Sequence, residues 1–182
     1  MAVSGSAAVF VDKDGTLVEN VPHNVDPARV RLTAGAAQAL ETLRGRGLPI
    51  FVVSNQPGAA LGFFAEASLA GVELRLQELL GGALSGFYYC THRPDSGCRC
   101  RKPSPGLLLR AAREHGLTLE RSWMVGDILD DVEAGRRAGC RTLLVDNGNE
   151  TEWQLSEARR PDHVVSDLRQ AAAVILAGLE LP

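Results

Sequence analysis

The sequence predicts an α/β fold in three layers, a parallel sheet with helices on both faces. Short apolar runs recur along it, as in Ala7-Ala8-Val9-Phe10-Val11 and Pro49-Ile50-Phe51-Val52-Val53. A run that is apolar at every position is buried on both sides, as parallel strands covered by helices are. Between these runs lie longer stretches with apolar residues at helical spacing, which makes repeated βα units. The runs also end in acids, Gly and small polar residues, and open α/β sheets bind ligands beyond the carboxyl ends of their strands.

Taken in order, strands are expected near 7–11, 49–53, 86–89, 122–125, 141–145 and 163–165, and helices near 35–46, 65–81, 105–116, 129–138 and 167–178. Arg44-Gly45-Arg46-Gly47 and Glu114-His115-Gly116 look like helix ends with Gly stops. Pro105 fits a helix first turn, with Ser104 as its cap. With 182 residues, the simplest organisation is one domain over 1–182, long enough to bury a real core. A net charge of −3 without a basic stripe argues against a nucleic-acid partner. No apolar run reaches the length of a membrane span, and no internal repeat is present.

The richest segment is Asp12-Lys13-Asp14-Gly15-Thr16, directly after the first strand. Two acids two residues apart lie on the same side of extended backbone. Their mutual repulsion calls for a cation or a shared proton, and a hard divalent ion such as Mg²⁺ takes oxygen ligands of this kind. One carboxylate can attack phosphorus while the other moves protons. The second strand ends in Ser54 and Asn55, where a hydroxyl and backbone N–H groups can hold phosphate oxygens. Arg101-Lys102-Pro103 precedes a helix, and a lysine there suits a phosphate. The fourth strand runs into Gly126-Asp127-Ile128-Leu129-Asp130-Asp131. Asp127 and Asp131 are i,i+4 and share a face if a helix starts there. Acids at a helix start are favoured by its dipole, which accounts for Asp130 and Asp131 without a site and leaves Asp127, at the strand end, unexplained.

Three of the four cysteines fall between Cys90 and Cys100, in the spacing Cys90-x-His92-x5-Cys98-x-Cys100. Three thiolates and one imidazole suit tetrahedral Zn²⁺ in a closed, structural site. The sequence has no secretory leader pattern, which argues against a disulfide framework. This loop runs straight into Arg101 and Lys102, so a zinc knot would aim both at a phosphate.

These segments, in this order over roughly residues 7 to 147, resemble the haloacid dehalogenase (HAD) superfamily of phosphatases and phosphotransferases. The cysteine string running into Arg-Lys-Pro resembles, within it, the D-glycero-D-manno-heptose 1,7-bisphosphate 7-phosphatases and the histidinol-phosphate phosphatases. The resemblance implies a Rossmann-like HAD fold. It implies Asp12 as nucleophile and Asp14 as general acid/base. Ser54 and Lys102 would hold the phosphoryl group, with Asn55 beside them. Mg²⁺ would be bound by Asp12, the Asp14 backbone carbonyl and Asp127, and Arg101 would meet a second phosphate. It further implies a cytoplasmic monomer. Leu61 and Ile128 stand where relatives carry basic residues, so a monophosphate substrate such as histidinol phosphate stays open beside heptose 1,7-bisphosphate. A zinc-stabilised phosphate-binding module without turnover is the non-enzymatic alternative.

Neither gap between the first three motifs has room for a separate cap domain of roughly fifty residues, so the site should be open. The remaining candidates have ordinary explanations. His23 is expected in a solvated loop, His115 at a helix end, His163 at the surface, and Cys140, Trp123 and Met124 in the core. Asn147-Gly148-Asn149 follows the fifth strand at the site's rim, without an assigned role.

Overall fold

The computed structural model describes residues 5–179. Six strands form one all-parallel sheet: β1 (Val9–Val11), β2 (Ile50–Asn55), β3 (Gly86–Cys90), β4 (Trp123–Gly126), β5 (Arg141–Val145) and β6 (His163–Val165). Their order is β3-β2-β1-β4-β5-β6. The chain winds outward from β1 in one direction and then from β4 in the other, so the order reverses between them. A crevice opens at such a switch point beyond the carboxyl ends.

Strand alternation divides the core. Val9 and Val11 of β1, with Ile50 and Val52 of β2, pack on α1 (Ala36–Gly45), α2 (Leu69–Leu79) and α5 (Leu168–Leu179) through Leu40, Leu76 and Ile175. Ala8 and Phe10, with Phe51, Val53 and Met124, face α3 (Gly106–His115) and α4 (Leu129–Ala138) through Leu107, Leu108 and Ala134. Period two in the strands therefore feeds two helical layers, which is why the runs are apolar throughout. The β1–β2 connection holds α1 and a short 3₁₀ turn, and the β2–β3 connection holds α2 and another. No cap is inserted among the described residues. No helix among them is long and apolar enough to cross a membrane.

The expected elements are all present, with shifted ends. The 65–81 helix begins as a 3₁₀ turn at Glu66–Ser68 and becomes α-helical only at Leu69. Gly116, at φ 62°, terminates α3 as its pattern requires. Pro105, rather than Ser104, occupies the N-cap of α3, and no side chain caps that helix. Proline there lacks the N–H and brings its own fixed φ, so the first turn forms without a Ser cap.

Helix α4 lies close against the sheet because Gly135 faces Met124 and Thr142: a Cβ at 135 would sit 2.6 Å from Met124 Cβ and 2.7 Å from Thr142 Cγ2. Alanine would gain about 1 kcal/mol of helix propensity, but overpacking costs about 1–3 kcal/mol. Met124 Cβ is fixed by its strand, so overpacking wins. Gly135→Ala is expected to lower stability in urea denaturation; an unchanged or raised midpoint would mean that α4 can lift without cost.

Candidate active site

The ends of β1 and β4 place two acids side by side. Asp12 continues β1, its N–H donating to the Val125 carbonyl at 2.9 Å. Asp127 follows Gly126 of β4. The third acid comes from α4: a Cβ on Gly126 would meet Asp131 Cβ at 2.2 Å, so only glycine lets that side chain fold back over the strand end. Asp12, Asp127 and Asp131 are all buried, and their carboxylate oxygens lie within 4.8 Å of one another.

Lys102 reaches into this group. Its ammonium donates to Asp12 Oδ1 at 2.5 Å and to the Val53 carbonyl at 2.9 Å, and pairs with Asp131 Oδ1 at 2.6 Å. Burial alone would lower the lysine's pKa; the charges of Asp12 and Asp131 reverse that and hold it above the ordinary lysine range. Burial pushes Asp12 well above the usual carboxylate range against the pull of Lys102, with Asp131 and Asp127 adding to the rise. Asp127 is raised by burial and by Asp131. Three buried carboxylates against one ammonium leave an excess of negative charge, and this all-oxygen donor set fits a hard divalent cation.

Asp14 lies outside that group. Its carboxylate accepts from Lys13 Nζ at 2.7 Å and from Gln56 Nε2 at 2.7 Å, and its side chain is 28% exposed, against 10% for Asp12. Gln56 also donates to the buried Ser54 hydroxyl at 2.9 Å. Ser54 is thus an acceptor here, and its own O–H stays available to a ligand. Gly15, at φ +89°, turns the chain beneath Asp127, whose Oδ2 would lie 2.3 Å from a Cβ there. Thr16 Oγ1 donates to Asp127 Oδ1 at 2.7 Å.

The cysteine loop forms a second group. Cys90, Cys98 and Cys100 have Sγ–Sγ separations of 3.3 to 3.6 Å, and His92 Nδ1 lies 3.6 Å from Cys90 and 3.2 Å from Cys100. A disulfide needs about 2.05 Å, whereas thiolates on one tetrahedral zinc with bonds of about 2.3 Å lie about 3.8 Å apart. The four atoms have the size of a zinc shell. The loop leads into Arg101, whose Nη1 is buried without a hydrogen-bond partner beside a cavity of about 240 Å³ lined by Gly97, Cys98, Pro103, Ser104 and Asp130.

Residues 99–171 match the family model described as "HAD-hyrolase-like". The chain is 36% identical to the D-glycero-D-manno-heptose-1,7-bisphosphate 7-phosphatase of Thermosynechococcus vestitus, over 92% of this chain and 93% of the relative. It is 34% identical to the D-glycero-beta-D-manno-heptose-1,7-bisphosphate 7-phosphatase of Pseudomonas aeruginosa, over 76% and 80% of the two chains. The crystal structure of a D,D-heptose 1,7-bisphosphate phosphatase from B. bronchiseptica, complexed with magnesium and phosphate, superposes with a TM-score of 0.84 at 31% identity, covering 94% of this chain and 98% of that one.

The chain belongs to this HAD phosphatase family.

Its members are phosphoric monoester hydrolases, and this chain is one of them. The structure adds detail to what the sequence led us to expect of a HAD phosphatase. Asp131 joins the side chains of Asp12 and Asp127, while Asp14, expected to contribute its backbone carbonyl, keeps its side chain outside that group. Asp131, explained by the helix dipole alone, is instead buried and ion-paired; its i,i+4 spacing from Asp127 was the available signal. Asn55 spends its side-chain amide on the Lys102 backbone, donating to the carbonyl and accepting from the N–H, both at 3.0 Å, so it holds Lys102 in place. Among the histidines, His23 is exposed in a loop as expected, and its ring stacks on Phe63 at 4.3 Å. His115 shares a hydrogen bond with the Tyr88 hydroxyl at 3.0 Å, and His163 is exposed beside Trp123. Cys140, Trp123 and Met124 are buried as expected.

Removing the Lys102 charge would leave Asp12 and Asp131 buried and uncompensated. Lys102→Met is therefore expected to cost about 3–5 kcal/mol of stability in metal-free buffer at neutral pH, measured by urea unfolding. A loss below about 1 kcal/mol would mean that the carboxylates are already neutralised by protons.

Proposed function

We propose that this phosphatase acts as one domain over residues 1–182, depends on Mg²⁺, and removes the 7-phosphate of D-glycero-D-manno-heptose 1,7-bisphosphate through an aspartyl phosphate on Asp12. The observation that carries this reading is the buried group of Asp12, Asp127 and Asp131 around Lys102 at the sheet's switch point. Asp12, Asp127 and Asp131 would hold Mg²⁺, with the Asp14 backbone carbonyl as a further ligand, and the ion would offset negative charge on the phosphoryl oxygens.

Lys102 fixes Asp12 through Oδ1, which orients the carboxylate for attack on phosphorus. A bond forms from Asp12 to phosphorus as the bond to the leaving oxygen breaks, and Asp14 gives that oxygen a proton. Asp14 then takes a proton from water, the water oxygen bonds to phosphorus, and the Asp12–phosphorus bond breaks to free phosphate. Lys13 and Gln56 hold Asp14 in place for both transfers. The Ser54 O–H would meet an equatorial oxygen and the nearby Lys102 charge would offset the charge on the phosphoryl group, electrostatic work that dominates phosphoryl transfer. Zn²⁺ on Cys90, His92, Cys98 and Cys100 would stiffen the loop that carries Arg101 and Lys102. The unpartnered Arg101 Nη1 supports a site for the second phosphate.

A second reading is favoured by the loop after β2, where Leu61 and Phe63 are exposed, Phe63 at 63% with His23 stacked on it. An apolar surface there suits a phosphate monoester with an aromatic or aliphatic body, histidinol phosphate among them.

Phosphate release with Mg²⁺ from both anomers of heptose 1,7-bisphosphate, histidinol phosphate and common sugar phosphates separates these readings. A strong preference for the heptose bisphosphate is expected, falling on Arg101→Ala. Comparable turnover of monophosphates with little heptose activity would install the second reading. Asp12→Asn is expected to abolish release on every substrate, and retained turnover would remove Asp12 as nucleophile. Metal analysis of the protein as purified should find one zinc per chain, lost in Cys98→Ser together with several degrees of melting temperature; a zinc-free, equally stable wild type would refute the zinc knot.

A further inference from the structure

The loop that leaves β5 touches the surroundings of the carboxylate site at three points through side chains. Asn147 Nδ2 donates to the Gly15 carbonyl at 2.7 Å. Asn149 Nδ2 donates to Asp127 Oδ2 at 2.6 Å. Glu150 Oε2 accepts from the Leu129 N–H, at the start of α4, at 2.7 Å. The loop braces itself as well: the Asn149 N–H donates to Asn147 Oδ1 at 3.2 Å, and Glu150 Oε1 accepts from the N–H groups of Glu152 and Trp153.

Each contact does something specific. Asp127 has its Oδ1 bonded by Thr16 and its Oδ2 by Asn149. The end torsion of an Asp side chain is soft and two-fold, so one donor leaves it free to rotate and two donors on opposite oxygens stop it. Each oxygen keeps a second lone pair for a cation. Gly15 permits the arrangement, since a Cβ there would lie 2.6 Å from Asn149 Nδ2. At α4 the open N–H groups of the first turn compete for any nearby carboxylate. Glu150 takes the Leu129 N–H; Asp131 accepts from the Ile128 N–H through Oδ2 at 3.3 Å, and its Oδ1 stays on Lys102.

We propose that Asn147, Asn149 and Glu150 form a bracket that sets the geometry of the divalent-cation site, with Asn149 as the positioning residue for Asp127. The inference rests on the reading above that Asp12, Asp127 and Asp131 bind Mg²⁺. Partners that orient metal ligands typically account for about 10–100-fold in metal affinity. None of the three touches the reacting atoms, so the effect falls on binding of the ion and not on the chemical step.

The test is Mg²⁺ affinity of the full chain without substrate, by calorimetry, with Mn²⁺ binding followed by electron paramagnetic resonance as a second probe. Asn149→Ala is expected to weaken binding about 10–100-fold. Its metal-free melting temperature should stay near that of the wild type, and its kcat should recover at saturating Mg²⁺. Asn147→Ala should weaken binding less, because it acts through the Gly15 carbonyl. Glu152→Ala, which changes an exposed side chain of the same loop, should leave affinity unchanged. If Asn149→Ala fails to fold, Asn149→Ser, which keeps a shorter donor, takes its place with the same expected direction. A wild type that binds Mg²⁺ and an Asn149 variant that binds it equally well overturn the bracket alone. A wild type that binds no Mg²⁺ overturns the cation site, and the bracket with it.

Discussion

The Lys102 ammonium is the point on which the site is built. It sits between Asp12 and Asp131 with the Val53 carbonyl as its third acceptor, and it is buried. Removing a charge from water costs several kcal/mol, so such a lysine exists only if its partners arrive in exact register. Those partners come from distant parts of the chain: the end of β1, the end of β2 and the first turn of α4. The parallel sheet brings the two strand ends together, Gly126 lets Asp131 fold inward, and Asn55 grips the lysine's own backbone. The ion cluster makes a poor stabiliser and a good template. Its surplus of negative charge is what the proposed divalent cation would offset.

The sequence and the structure agree most closely where the physics is local. The apolar runs, the helical spacing between them and the Gly116 helix stop depend on neighbours in sequence, and the six strands and five α-helices of the described residues were legible from them. Asp131 was not. An acid in the first turn of a helix is already explained by the dipole, and nothing nearby in sequence says that Lys102 will be opposite it. The contacts of Asn55 were hidden for a related reason. At a strand end it looks like a ligand for phosphate, yet its amide is used on a backbone that lies 47 positions away. Asn147 and Asn149 look like turn residues, and they also make turn bonds. Their side-chain contacts with Gly15 and Asp127 exist only once β5 lies beside β4 and β4 beside β1.

The site divides between rigid and variable parts. Asp12, Asp127 and Ser54 stand at strand ends, where the ladder fixes the backbone. Lys102 and the cysteine group reach the same place from a loop, and three thiols and an imidazole within 4.8 Å of one another offer that loop a stiffness that its backbone lacks. By contrast, Leu61, Phe63 and His23 lie in connections that no such group restrains. Loops on a rigid scaffold are where selectivity can change without disturbing the chemistry.

The loop after β5 completes this division, because it belongs to the rim by position and to the core of the site by contact. A carboxylate cluster with surplus charge has an intrinsic tendency to spread, since each acid repels the next. Lys102 opposes this for Asp12 and Asp131, with which it forms its ion pairs among the described residues. Among the described residues the side-chain donors to Asp127 are neutral, Thr16 on one oxygen and Asn149 on the other. Neutral donors restrain a carboxylate without cancelling its charge. Two oxygens held in place and still negative are what a cation site requires, whereas a second ammonium at that point would have occupied the place of the ion.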